Sequence, residues 1–151
     1  MTIKATYYGA NGWLIEIDKI RILIDPWLNG DLTFPPGDWL IKGVLHKEVE
    51  APKDINFLLL TQGQPDHAHR PTLEKINKSI TVIASQAASR VAKEIGFKKI
   101  YTLKPHEKFT YNNLIIEATT GASVPNTENG YIIDHNFDSI YIEPHGFLDK
   151  N

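Results

Sequence analysis

Short apolar runs alternate with turn-forming residues from the start of the chain. Ile3–Tyr8, Trp13–Ile17 and Arg21–Asp25 each have strand length and are rich in β-branched and aromatic residues. Gly9-Ala10-Asn11-Gly12 and Asp18-Lys19 lie between them. The pattern predicts three strands in an antiparallel meander joined by tight turns. From Pro26 to Pro52 the rhythm breaks. Pro26, Pro35, Pro36 and Pro52, with Gly30, Gly37 and Gly43, oppose regular structure. Trp27, Trp39, Leu40, Ile41, Val44 and Leu45 are available to anchor the segment. It reads as a long ordered loop over a pocket, with both tryptophans packing the loop.

Ile55–Leu60 is a continuous apolar run, the pattern of a strand buried on both faces. Pro71 suits the first turn of a short helix reaching Asn77. Thr81–Ala84 reads as a strand. Gln86–Ile95 is the clearest helix: Ala88, Val91, Ala92 and Ile95 follow i, i+3, i+4, i+7 spacing. Ser85 precedes it as an N-cap and Gly96 follows as a stop. Lys99–Leu103, Leu114–Ala118, Tyr131–Ile133 and Ser139–Ile142 complete the strands. Strands that precede helices and then interleave with them predict a layered, mixed α and β protein.

The 151 residues suit one domain, 1–151, with a sizeable core. A net charge of -2 provides no basic field for nucleic acid. No apolar stretch is long enough for a membrane span, and the N-terminus lacks a signal-peptide pattern, so the cytoplasm is the expected location. With no cysteine, thiolate ligands and a cysteine nucleophile are excluded.

The candidate chemistry lies after the buried strand, in Thr61-Gln62-Gly63-Gln64-Pro65-Asp66-His67-Ala68-His69. This segment resembles the Thr-His-x-His-x-Asp-His signature of the metallo-β-lactamase superfamily, with glutamine in place of both leading histidines. Further matches occur in order along essentially the whole chain. Tyr8-Gly9-x-x-Gly12-Trp13 resembles the opening hairpin, and Ile24-Asp25-Pro26 the strand ending in Asp-Pro. Gly121-Ala122-x-Val124-Pro125 with Glu128-Asn129-Gly130-Tyr131 resembles a branch of metal-dependent hydrolases. Glu143-Pro144-His145-Gly146 stands where a strand ends in an acidic ligand.

The resemblance implies an α+β fold, the αβ/βα sandwich with mostly antiparallel or mixed sheets and flanking helices. It also implies that further chain follows, so that these residues form the N-terminal part of the domain. On this expectation, the open face is covered by a second copy in a homo-oligomer. The resemblance further implies metal-assisted hydrolysis of a small ester, amide or phosphoester at an altered site. One weakly held divalent ion (Zn, Mn or Fe) is expected, because amide oxygens replace two imidazoles.

The ligand candidates are Asp66, His67, His69, Glu143 and His145. Asp66 is also the candidate base. Asp25 would orient a ligand, and Gln62 and Gln64 would hold a relic pocket by hydrogen bonds. The alternative is a non-catalytic relative that binds a ligand or protein. Each residue also has a structural reading: Asp66 as a turn cap, His67 as a hydrogen-bonded core histidine, Asp25 as part of a turn. His46, His106 and His135 are expected in solvated loops.

Overall fold

The computed structural model describes residues 3–121, 128–136 and 138–145. The Ala122–Pro125 and Gly146 parts of the resemblance fall outside them.

The opening meander comprises β1 (Ile3–Gly9), β2 (Gly12–Ile17) and β3 (Ile20–Ile24), paired antiparallel. After a loop carrying the short pair β4 (Leu32–Thr33) and β5 (Lys42–Gly43), β6 (Phe57–Leu60) joins β3 in parallel. Helix α1 (Arg70–Lys75), strand β7 (Thr81–Ala84), helix α2 (Gln86–Ile95) and strand β8 (Lys99–Thr102) follow, and β7 and β8 extend the parallel half. The first sheet thus runs β1-β2-β3-β6-β7-β8. The second is an antiparallel meander of β9 (Lys108–Tyr111), β10 (Leu114–Thr120), β11 (Asn129–His135) and β12 (Asp138–Ile142), in the order β12-β11-β10-β9.

Side-chain alternation explains the layering, because successive residues of a strand point to opposite faces. On β6, Leu58 and Leu60 pack toward the helices with Leu73, Ala88 and Ala92. Phe57 and Leu59 pack toward the second sheet with Ile116, Tyr131 and Ile133. The strand is therefore covered on both faces by this chain alone, contrary to the expectation that a second copy must close it. Helix α2 presses close because its buried face carries Ala88, Ser89 and Ala92. Ser85 caps its first turn by accepting from the Ala88 N–H, and Gly96, at φ 99°, ends it in the left-handed region. No helix among the described residues is long and apolar enough to cross a membrane.

Several expectations need correction. Strand β9 has only four residues, and its exposed polar positions hid it. His135 is not in a loop: it ends β11 and is buried at the sheet margin. His46 and His106 are exposed, as expected of loop residues. Trp27 is buried and its indole N–H donates to the Gly30 carbonyl, but Trp39 is 75% exposed. Leu40, Ile41 and Val44 are exposed beside it.

The start of the loop is tied to α1 through His69. The His69 Nε2–H donates to the Asp31 carbonyl at 3.1 Å, and the Thr72 hydroxyl donates to Nδ1 at 3.0 Å. The Thr72 oxygen accepts the Leu28 N–H at 2.9 Å. Both ring nitrogens are thus used by a neutral imidazole. Burial holds the His69 pKa below 6.5, against the pull of the Asp31 carbonyl. The unfolded chain therefore takes up this proton first as pH falls. The stability so contributed is present above the unfolded value and is lost as pH falls through the folded one. We expect His69→Gln to flatten the decline in unfolding free energy between about pH 7 and pH 5. Urea denaturation across that range checks it, and parallel curves for parent and variant would refute it. Leu59→Ala, at a fully buried site, should cost about 2–5 kcal/mol in the same assay.

Candidate metal centre

Parallel pairing of β3 with β6 puts the ends of both strands side by side. Asp25, one residue past β3, adopts φ 39°, in a left-handed region where Asp is among the tolerated residues. Its N–H donates to the Leu59 carbonyl, and its carboxylate lies under Thr61. Oδ1 accepts the Thr61 N–H at 2.8 Å, and Oδ2 accepts the Thr61 hydroxyl. Oδ2 also meets His67 Nδ1 at 2.8 Å. Burial pushes the Asp25 pKa up, opposed by the bonds from His67 and Thr61. A buried carboxylate with this many donors is well satisfied.

The turn after β6 brings His67 back to this carboxylate. The Gln64 carbonyl accepts the N–H groups of His67 and Ala68. Gly63 lets the turn press on α2, since a Cβ there would lie 3.0 Å from the Ala87 backbone. With Nδ1–H donated to Asp25, His67 Nε2 faces outward. It lies 3.4 Å from Asp66 Oδ2 and 3.2 Å from the amide nitrogen of Asn11. Burial opposes charge on His67, but Asp25 and Asp66 outweigh it and raise its pKa to about 10. Burial also works against the Asp66 carboxylate, but His67 dominates and holds its pKa below the usual value.

His145 arrives from the other sheet, just beyond β12. Its Nδ1–H donates to Glu128 Oε2 at 2.6 Å. Glu128 is buried before β11 and also accepts from the Gln62 amide at 3.0 Å. His145 Nε2 then lies 3.3 Å from His67 Nε2. In the ion-free chain the raised pKa keeps a proton on His67 Nε2, facing the Nε2 lone pair of His145, whose own Nδ1 proton is committed to Glu128. Once His67 gives up that proton, two bare lone pairs confront one another. That arrangement repels unless a cation or an added proton lies between them. Asp66, His67 and His145 offer ligand atoms all within 4.8 Å of one another. Gln62 Oε1 and Asp66 Oδ1 are buried without a hydrogen-bond partner among the described residues. Two oriented imidazoles, a carboxylate and spare buried oxygens fit a divalent cation.

Of the expected residues, Asp66, His67 and His145 come together. Asp25 sits behind His67, and Gln62 reaches His145 through Glu128. His69 does not join them, because Thr72 and Asp31 take both its nitrogens. Glu143 lines an adjoining cavity with Asn11 and Asp25 instead of joining the cluster. Gln64 contributes its carbonyl to the turn. Sequence reasoning passed over Asn11, Thr61 and Glu128. Asn11 looked like an ordinary turn residue. Glu128 stood in the Glu-Asn-Gly-Tyr motif that carries the resemblance, but nothing in that motif gave it a role toward His145.

The geometry agrees with the comparisons. The model of the Beta-lactamase superfamily domain matches residues 4–150. A UPF0173 metal-dependent hydrolase from Brucella ovis is 31% identical over 136 residues, 85% of this chain and 51% of the relative. One from Paracoccus denitrificans is 39% identical over 67 residues, 43% of this chain and 24% of the relative. The chain thus spans about half or less of these relatives' length. CmlA, a diiron β-hydroxylase from Streptomyces venezuelae, superposes with a TM-score of 0.71 at 17% identity, covering 94% of this chain and 29% of that one. The isothiocyanate hydrolase from Delia radicum gut bacteria gives 0.69 at 16%, covering 91% and 60%. At such identities the structural likeness speaks for the fold alone. A family match over nearly the whole chain, on this two-sheet frame, means that the chain belongs to the beta-lactamase superfamily and has the α+β metallo-β-lactamase sandwich fold.

Proposed function

We propose that this chain carries the metal centre of a hydrolase acting on a small ester, amide or phosphoester, with Asp66, His67 and His145 holding a single divalent ion. The facing Nε2 atoms of His67 and His145, each aimed by a buried carboxylate, carry this reading. UPF0173 relatives described as metal-dependent hydrolases support it. A divalent ion held there supplies Lewis acidity, polarising a carbonyl or phosphoryl oxygen and acidifying a water. Asp25 and Glu128 fix the tautomers and ring planes of the two histidines. Asp66, half-buried and held ionised by His67, is placed to take a proton from an attacking water. Asn11 donates toward Asp66 Oδ2 at 3.3 Å and steadies that carboxylate.

Gln62 and Gln64 stand where the superfamily signature has histidines, so a second ion has no imidazole from that motif. We expect at most one ion per chain, held substoichiometrically in protein purified without chelator, by elemental analysis. Titration calorimetry with Zn(II) or Mn(II) should show His145→Ala abolishing measurable binding. Glu128→Gln should weaken it by about 10–100-fold. Two tightly held ions per chain would refute this reading. Failure of the parent protein to bind any added ion would establish the non-catalytic alternative, a ligand-binding relative in which Gln62 and Glu128 merely satisfy one another.

This reading includes a cytoplasmic location and a homo-oligomer. The exposed Trp39, Leu40, Ile41 and Val44 form the apolar surface for self-contact. Light scattering after size exclusion should show the parent associated and the Trp39→Lys, Ile41→Lys double variant monomeric. A monodisperse parent monomer would overturn this.

A further inference from the structure

Where the two sheets part at edge strands β1 and β12, the sandwich leaves a cavity of about 320 Å³. That volume lies within the range of small-molecule sites. Trp13 and Ile15 of β2 and Ile140 and Ile142 of β12 supply apolar wall. Asn11 and Asp25 also line it, and both hydrogen-bond to His67. The cavity therefore adjoins the Asp66, His67 and His145 cluster. Both Asp25 oxygens are already engaged by Thr61 and His67. Glu143 is the other acid of the lining, and no Lys or Arg among the described residues lines it.

This lining discriminates between ligand classes. A phosphate group placed here would lose its water and meet carboxylates with no guanidinium or ammonium to compensate. A neutral head loses less, and a cationic head gains from Glu143. Trp13 adds an aromatic surface that attracts cations. The Tyr7 ring buttresses it, with centroids 4.8 Å apart.

We propose that this cavity is the substrate-binding site and selects small molecules with an apolar body and a neutral or positively charged head, with Glu143 as the specificity-determining residue. Of the three hydrolysable classes, esters and amides suit these walls best, whereas a phosphoester would depend on the bound ion alone to offset its charge. The inference relies on the hydrolase reading for what becomes of the ligand, but not for whether it binds.

The test is ligand-detected NMR and calorimetry on the whole chain, in chelator throughout, with benzylammonium, benzyl alcohol, benzoate and phenyl phosphate. Benzylammonium should bind most tightly and benzyl alcohol next. The two anions should be weaker than benzylammonium by about tenfold or more. Glu143→Gln should bring benzylammonium down to the level of benzyl alcohol while leaving the alcohol unchanged. Trp13→Ala, checked for folding by circular dichroism, should weaken all probes. Anions binding as well as benzylammonium, or no saturable binding by any probe, would overturn the assignment. Because metal is absent from the assay, failure of the metal centre and failure of the cavity are read separately.

Discussion

The buried carboxylate of Asp25 is the interaction on which the site depends. It ties the end of β3 to the end of β6 through the Thr61 N–H and hydroxyl, and it receives His67 Nδ1. A carboxylate at 1% exposure is costly unless donors surround it. Here the donors are parts of the site, so satisfying the charge and aiming the histidine are one event. The φ of 39° at Asp25 is the local strain that this arrangement carries.

The second sheet repeats the device. Glu128, at the entry to β11, holds His145 as Asp25 holds His67. The two histidines are 78 residues apart in sequence and meet only because the sheets stack face to face. The stacking is driven by alternating apolar residues: Phe57 and Leu59 on one side, Ile116, Tyr131 and Ile133 on the other. Backbone contact reinforces it, since the Asn129 N–H donates to the Thr61 carbonyl. The packing that closes the core thus delivers the second imidazole.

Glutamine at position 62 links the first sheet to the acid that orients His145, since its amide donates to Glu128. A histidine could supply one ring N–H there but would lack the amide oxygen, which remains buried near the cluster. Gln62 is held by its own hydrogen bond to Glu128. The turn itself is shaped by Gly63 and the Gln64 carbonyl, independently of the glutamine side chains.

Most strands, both helices and the caps of α2 were legible in the chain, because period-2 and period-3.6 burial are local consequences of backbone geometry; the short or exposed β4, β5 and β9 carried no such pattern. The Asp66-His67 pair and Asp25 were legible as candidates from a resemblance carried by contiguous motifs, and the fold brings them together. Other features depended on the tertiary structure. His69, in the same motif, faces away because Thr72 and the Asp31 carbonyl compete for its nitrogens. Glu143, two residues from His145, lines a cavity while His145 meets His67, because strand alternation ends with β12 at Ile142. Glu128 gained its place from a partner in a different element. Local sequence determines which residues share a face of a helix or strand; which faces meet, and which polar groups find each other there, is decided by the packing of the two sheets.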